Sequence, residues 1–370
     1  MGEHLFGMDT GLLGYGNMRL PRIEGRLDYA TIDKMIDTFL AAGFKYFDTC
    51  YTYEAAEQAL GDRLVKRYPR HQYQINTKLT LLWSPKIEDM QRMFEESLRR
   101  LSTDYIDFYF LHALNATTMV QAEEWGAWDF IKRLKDKGQV KHIGFSMHDS
   151  PEVLDTILTR HPETELVLLQ INYLDWDDPK TRSRELYETA RRHNVPISVM
   201  EPCKGGWLAS EASEAGKLLK AANPDVSAAS LAFRFVAELE GIHSILSGMG
   251  SLFEVEDNIK TLRDPEPLSA EEHKLIKQAV EIINANPRIP CTDCLYCLPH
   301  CPKKIYIPEA LKIYNNHMIH DDLGSLRHLN FILGVVGSEP KECTMCGACE
   351  KVCPQKIEIS GYMEKMRALL

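Results

Sequence analysis

No apolar run in this 370-residue chain approaches the roughly 20 residues that a membrane-spanning helix needs, so no membrane span is expected. A basic excess is missing too. The 43 Lys and Arg stand against 53 Asp and Glu, a net charge of −10, which argues against nucleic acid as a partner because phosphate binding needs a basic surface. The amino-terminal Met-Gly-Glu-His-Leu-Phe lacks the basic-then-apolar order of a secretory signal, and residue 6 is not the Ser or Thr that N-myristoylation wants. Cysteine is scarce outside one region. Eight of the ten lie in the last eighty residues, leaving Cys50 and Cys203. Nothing resembles a disulfide framework, and a reducing, cytoplasmic setting is expected.

Those eight cysteines form one signature written twice. Cys291, Cys294, Cys297 and Cys301 precede Pro302; Cys343, Cys346, Cys349 and Cys353 precede Pro354. Each is the C-x2-C-x2-C-x3-C-P run that holds a cubane iron-sulfur cluster, with the fourth cysteine serving the neighbouring cluster. Two [4Fe-4S] clusters are therefore expected, one on Cys291, Cys294, Cys297 and Cys353, the other on Cys343, Cys346, Cys349 and Cys301. Structural zinc takes its ligands as two separated pairs, a scheme in which a third cysteine two residues further on has no place. From Cys291 onward nine basic residues balance nine acidic ones, so the acidic excess lies entirely in the preceding part. Charge alone does not mark the cluster region as a docking surface steered towards a basic partner.

The first ~285 residues suit one (β/α)8 barrel, which typically needs about 250. Short apolar runs alternate with amphipathic stretches. The expected strands are Leu12 to Met18, Lys45 to Thr49, Gln72 to Leu79, Ile106 to His112, Val140 to Ser146, Leu166 to Tyr173, Pro196 to Glu201 and Ile242 to Gly248. Helical patterns include Tyr29 to Ala42, Ile87 to Leu101, Trp125 to Lys137 and Arg182 to Asn194, with Gly43, Gly138 and Asn194 as stop signals. Such alternation fits a closed parallel barrel or an open doubly wound sheet. An open dinucleotide-binding sheet should begin with G-x-G-x-x-G. Gly14-Tyr15-Gly16-Asn17-Met18-Arg19 fails at its last position, which also argues against a flavin site of that type.

Polar residues at the strand ends favour the barrel. Asp48, Lys78 and His112 each end a predicted strand, and Tyr53 follows Asp48 by five residues. Taken singly, a strand-end Asp or Lys is ordinarily a solvated sheet edge, and a lone His there is ordinarily satisfied by backbone. Four complementary groups on successive strand ends are the arrangement that gathers catalytic groups at a barrel mouth.

Phe-Asp-Thr-Cys-Tyr-Thr-Tyr, Asn-Thr-Lys, Asp-Phe-Tyr-Phe-Leu-His and Ile-Gly-Phe-Ser, in this order and spacing, resemble the aldo/keto reductases. Leu-Gly-Tyr-Gly-Asn-Met-Arg-Leu-Pro and Ser-Leu-Ala-Phe-Arg-Phe-Val extend the resemblance over roughly residues 12–262, and the whole chain is similar to the branch with a carboxyl-terminal ferredoxin-type extension. The resemblance implies a nicotinamide-dependent oxidoreductase interconverting carbonyl and alcohol. Tyr53 would be the general acid, Lys78 would favour its phenolate, Asp48 would hold Lys78, and His112 would donate to the carbonyl oxygen. It also implies cofactor contacts at Gly16, Asp48, Ser146, Gln170, Met200, Ser247, Gly248, Gly250, Ser251 and Asn258. Met147 stands where Asn is usual, Met200 where an aromatic stacks on the nicotinamide, and Glu54 where Gly is common; His148 is expected to face the pocket. Gly250 and Glu254 replace the basic residues that NADP-preferring relatives use for the 2′-phosphate, so NAD is favoured over NADP. Cys50 and Cys203 are read as apolar filler or as reactive thiols.

Ser269 to Ala285 reads as a helix with a Ser269/Glu272 capping box, broken by Asn286-Pro287-Arg288-Ile289-Pro290. This gives a barrel at 1–264, a helical linker at 265–290 and a mostly helical dicluster domain at 291–370, with an insert expected to be helical around Pro308 to Asn316 and Leu323 to Leu333. The runner-up to a carbonyl reductase is an electron-transfer protein using the barrel as a docking scaffold. Nicotinamides exchange electron pairs and each cluster passes single electrons, so communication between the halves would need a flavin or a redox partner protein.

Overall fold

The computed structural model describes residues 6–53, 55–81, 86–285, 288–320 and 338–369. Eight parallel strands close a barrel: β1 (Leu13–Gly16), β2 (Tyr46–Asp48), β3 (Gln74–Leu79), β4 (Ile106–Leu114), β5 (Val140–Met147), β6 (Leu166–Gln170), β7 (Ile197–Met200) and β8 (Ile242–Ser247). Each strand pairs with its neighbours in sequence, and β1 closes the ring by pairing with both β2 and β8. All eight predicted strands form, most of them shorter at the ends than the apolar runs suggested. Closure decides what periodicity had left open between a barrel and an open sheet.

Alternation along the strands sorts the apolar side chains into two layers. The outward set, including Phe47, Ile75, Tyr109, Leu111, Phe145, Val167 and Val199, packs beneath the helices. The inward set is Tyr46, Phe108, Phe110, Leu166, Leu168 and Leu246. These bulky apolar residues all come from the even-numbered strands, while the odd-numbered strands contribute small or polar groups such as Gly14, Gln74, Asn76, His142, Gly144 and Ser198. A Cβ on Gly144 would lie 2.0 Å from the Leu166 carbonyl oxygen and 2.7 Å from Phe110, and one on Gly14 would lie 2.6 Å from Leu246. Large and small layers from alternate strands fill the barrel as a packed core. Phe6 joins this inner layer, set edge-on to Phe108, His142 and His243, and its carbonyl accepts from Gln74 Nε2 at 3.0 Å.

The expected helices appear at Tyr29–Ala41, Ile87–Leu101, Ala127–Asp136 and Ser183–Arg192. Gly43, Gly138 and Asn194 take the left-handed conformation that ends a helix. The capping box forms at helix Ala270–Ala285, where Glu272 N donates to Ser269 Oγ and Ser269 N donates to Glu272. Not anticipated were the hairpin Arg22–Ile23/Arg26–Leu27, helices Ala116–Glu124 and Glu214–Ala222, and a π-turn at Gly61–Val65.

The chain divides into two compact units. The first runs to Cys203 and from Leu208 to Lys277; the second comprises Lys204–Trp207 and the chain from Gln278 onward. Helix Ala270–Ala285 spans the division. The second unit is built around helices Ile307–His320 and Ile359–Leu369, with Ile289, Ile305, Ile307, Leu311, Ile357, Ile359 and Met363 in its core. The helix expected at Leu323 to Leu333 lies outside the described residues, as does Glu54. Among the described residues no helix is long and apolar enough to cross a membrane.

Gly61 opens the π-turn with its carbonyl accepting from Lys66 N at 3.1 Å, and a Cβ there would lie 2.1 Å from the Arg100 carbonyl oxygen. Its backbone is helical (φ −55, ψ −47), so the demand for glycine comes from close packing on helix Ile87–Leu101. Gly61→Ala is expected to destabilise the barrel by about 1–3 kcal/mol, the usual range for overpacking. A thermal melt checks this, and an unchanged melt would contradict it.

Candidate active site

The period-2 face that fills the barrel continues past its last bulky layer into polar side chains. On β2 the inward residue after Tyr46 is Asp48; on β3 Gln74 and Asn76 lead to Lys78; on β4 Phe108 and Phe110 lead to His112. β5 likewise ends in Ser146 beyond Gly144, and β6 in Gln170 beyond Leu168. The carboxyl ends of consecutive parallel strands therefore carry Asp48, Lys78 and His112 of the expected quartet, and the expected carboxamide residues, to one end of the barrel, with Tyr53 in the loop that follows β2.

Lys78 is 1% exposed, and an ammonium so placed needs full compensation. Its Nζ donates to Asp48 Oδ1 at 2.7 Å, to Asp48 Oδ2 at 2.8 Å and to the Thr49 carbonyl at 2.7 Å. Asp48 also accepts from Asn76 Nδ2 at 2.8 Å, and its carbonyl accepts from Asn17 Nδ2 at 2.9 Å. Burial pushes the Asp48 carboxyl up, and Lys78 and Asn76 oppose that rise. Lys78 Nζ lies 5.4 Å from the centre of the Tyr53 ring, on a half-buried side chain, and the Tyr53 and His112 rings stand edge to face at 6.3 Å. The structure thus brings Asp48, Tyr53, Lys78 and His112 together.

His112 is buried, and burial, reinforced by the charges of Lys78 and His148, holds its pKa well below the usual imidazole value. This favours its neutral form. Its Nδ1 lies 3.0 Å from Thr80 Oγ1 and 3.3 Å from Cys50 Sγ. Burial raises the Cys50 thiol, and it raises that of Cys203 to about 12, which favours the reading of each as apolar filler over that of a reactive thiol.

Ser146 Oγ accepts from Ala113 N at 2.8 Å, leaving its hydroxyl hydrogen to donate. Gln170 Nε2 donates to buried Asp175 Oδ2 at 2.7 Å, as does Asn172 Nδ2. Sequence reasoning missed Asp175, whose carboxylate holds both the Gln170 and the Asn172 amides. Met147 is buried in the outer core layer, on the face opposite Ser146. Met200 packs against the inner layer. Gly16 ends β1 in register with Asp48, and a Cβ there would lie 3.0 Å from the Ser247 carbonyl oxygen. Asn258 Nδ2 donates to Ser247 Oγ at 2.9 Å. Ser251 caps helix Leu252–Leu262, and the Glu254 carboxylate turns back to accept from Gly250 N at 2.5 Å. Arg19 lies beside Gly248 and pairs with Glu201 at 3.7 Å.

In the second unit the eight cysteines separate into two sets. Cys291, Cys294, Cys297 and Cys353 line one cavity; Cys301, Cys343, Cys346 and Cys349 line another. The fourth cysteine of each run thus joins the three of the other. The two runs also share a backbone conformation. Positive φ recurs two residues after the first cysteine (Asp293 54°, Met345 58°), four after it (Leu295 65°, Gly347 66°) and three after the fourth (Lys304 54°, Lys356 51°). Left-handed residues within such a loop turn successive backbone N–H groups to one side, the concave arrangement that receives anions. Met345 N lies 3.4 Å from Cys343 Sγ, and Ile305 N lies 3.4 Å from Cys301 Sγ. Among the described residues no three His, Cys, Asp or Glu side chains converge on a point that would hold a single ion.

Comparison with known proteins agrees with both units. The profile of the aldo/keto reductase family matches residues 12–281, and that of the 4Fe-4S dicluster domain matches residues 290–358. The chain is 27% identical over 212 residues to an aldo-keto reductase of Strobilurus tenacellus and 30% identical over 212 residues to a probable aldo-keto reductase of Glycine max. Those alignments cover 54% and 55% of this chain and only 60% and 58% of the relatives' own lengths. An aldo-keto reductase from Bacillus halodurans superposes with a TM-score of 0.59 at 25% identity, covering 72% of this chain and 91% of that one. A Klebsiella pneumoniae aldo/keto reductase solved with NADP and acetate shares the fold, with a TM-score of 0.59 at 19% identity over 73% of this chain and 95% of that one. A closed eight-stranded barrel and a matching profile over more than half the sequence lead to one conclusion: the chain belongs to the aldo/keto reductase family.

Proposed function

We propose that the protein interconverts a small-molecule carbonyl and its alcohol with a nicotinamide cofactor, and that its second unit holds two [4Fe-4S] clusters. The observation that carries the first part is the buried Lys78 ammonium, held by Asp48 and lying beside the Tyr53 ring. When bound, the nicotinamide supplies or takes the hydride. The chain's own residues then manage the proton and the developing charge. An unperturbed phenol, with a pKa of about 10, is a poor acid near neutrality, and a fixed ammonium beside it favours the phenolate left when the proton goes to the carbonyl oxygen. Neutral His112 donates one hydrogen bond to that oxygen, orienting the carbonyl and stabilising charge as it builds. Ser146 and Gln170, at the carboxyl ends of β5 and β6, are the side chains that would hold the carboxamide.

The preference proposed is for NAD. Between Ser247 and Asn258 there is no Lys or Arg. The Glu254 carboxylate sits on the Gly250 amide, where it would repel the 2′-phosphate of NADP. An Escherichia coli relative, 25% identical over 226 residues, is named NADH-specific methylglyoxal reductase, which supports such a preference within the family. The crossed grouping of cysteines supports the assignment of Cys291, Cys294, Cys297 and Cys353 to one cluster and of Cys343, Cys346, Cys349 and Cys301 to the other. Sulfurs set around a cavity suit a cubane better than a lone zinc ion. The clusters would carry single electrons, and exchange with a hydride carrier calls for a flavin or a redox partner protein. Cysteine usage supports a cytoplasmic location, and the acidic balance supports a small-molecule substrate over nucleic acid.

Tyr53→Phe removes only the ionisable hydroxyl. Carbonyl turnover is expected to fall by roughly 10²-fold or more, the scale of general acid catalysis, with cofactor binding retained; full turnover would remove Tyr53 from the mechanism. Anaerobically purified protein is expected to contain about eight iron and eight acid-labile sulfide per chain, the content of two cubanes, and stoichiometric zinc without sulfide would refute the clusters. Equilibrium titration is expected to favour NADH over NADPH, and Glu254→Arg to strengthen NADPH binding. Tighter NADPH than NADH binding by the unaltered protein would overturn the NAD reading.

A further inference from the structure

The chemistry asked of His112 depends on which ring nitrogen carries its proton. A neutral imidazole has one N–H, and the nitrogen that keeps it is decided by the partners of the other. Here two groups converge on Nδ1: Thr80 Oγ1 at 3.0 Å and Cys50 Sγ at 3.3 Å, themselves 3.8 Å apart. Both belong to the face of their segments that carries the quartet, Thr80 two residues beyond Lys78 and Cys50 two beyond Asp48. Cys50 is fully buried and Thr80 is 5% exposed. Each bears a hydrogen it can donate, and neither is an acceptor-only group such as a carboxylate, which would hold the proton on Nδ1. Were the proton on Nδ1, the Nε2 lone pair would be the one presented to the carbonyl oxygen, lone pair against lone pair.

Resting on the reading of His112 as the residue that polarises the substrate carbonyl, we propose that Thr80 and Cys50 are positioning residues that donate to His112 Nδ1 and keep its proton on Nε2. Thr80, at the shorter distance, carries the larger share. Cys50, whose Sγ lies equally 3.3 Å from Thr52 Oγ1, supplies the weaker second donor. The buried thiol thereby has a role that needs no thiolate and no redox change. Neither residue touches the substrate, so both act on turnover through the imidazole alone.

The test uses full-length, cluster-loaded protein assayed with reduced cofactor and a small aldehyde. Thr80→Val keeps the shape and removes the hydroxyl; it is expected to lower kcat by about tenfold, the upper range for loss of one neutral hydrogen bond, with cofactor affinity unchanged. Thr80→Ser is expected to restore kcat. Cys50→Ala is expected to give a smaller loss that Cys50→Ser reverses. Nitrogen-15 spectra of histidine-labelled protein, with the His112 signals assigned by their absence in His112→Ala, are expected to show the Nε2–H tautomer in the parent protein and a shift towards Nδ1–H in Thr80→Val. A parent spectrum with the proton on Nδ1, or a Thr80→Val/Cys50→Ala double variant with undiminished kcat, would overturn the inference. If His112→Ala itself retains full turnover, the underlying role of His112 fails as well. Loss of turnover in His112→Ala with none in the double variant sinks the positioning role alone.

Discussion

Asp48, Tyr53 and His112 at the mouth of this barrel gather around one buried positive charge. Lys78 lies at the end of β3 almost without solvent, and its ammonium is stable there because both Asp48 oxygens and the Thr49 carbonyl surround it. The pair ties β2 to β3, and Asn17 and Asn76 bind Asp48 from β1's end and from β3. Removing one partner from such a pair leaves an uncompensated charge, commonly a loss of 3–5 kcal/mol. Burial of this kind is weak evidence for stability as such. It acquires a purpose here because the same charge depresses protonation of His112 and stands beside the Tyr53 ring.

The eight strands were legible as short apolar runs, and the quartet from its places at or just beyond their ends together with the resemblance of the motifs around it. In a closed parallel barrel the inward face repeats every second residue, so a polar group following an apolar inward pair must emerge at the mouth. Tyr46 then Asp48, and Phe108, Phe110 then His112, announce the site two residues ahead of it. What was not legible depends on contacts that no sequence period reports. The small residues Gly14 and Gly144 look like ordinary strand glycines until Leu246, Leu166 and Phe110 are found where their Cβ atoms would go. Asp175 gives no local signal of its hold on Gln170 and Asn172. The contacts of Thr80 and Cys50 with His112 join three segments and have no pattern within any one of them.

The second unit teaches a related lesson about repetition. Its cysteine spacing announced a duplicated motif, and the duplication extends to the backbone, where Asp293 and Met345, Leu295 and Gly347, and Lys304 and Lys356 adopt the left-handed conformation at matching positions. Only one of these six is glycine, so composition gave no hint of the turns. Side chains tolerate that conformation at a cost, and a bound anion in the concavity offers a physical reason to meet it twice. The grouping of each fourth cysteine with the opposite run follows from the two loops facing one another across a shared core of Ile305, Ile307, Ile357 and Ile359.

The reaction proposed for the barrel is hydride transfer between a nicotinamide and a carbonyl carbon. Anaerobic incubation of cluster-loaded protein with a small aldehyde and NADH deuterated at the transferring face of C4, followed by mass spectrometry of the product, tests it at the level of the atom. The account predicts one deuterium on the carbinol carbon of the alcohol, transferred from the cofactor without exchange. Alcohol free of the label under both facial labellings, or no alcohol from any of a panel of aldehydes and ketones while the clusters still take electrons from NADH, would contradict it.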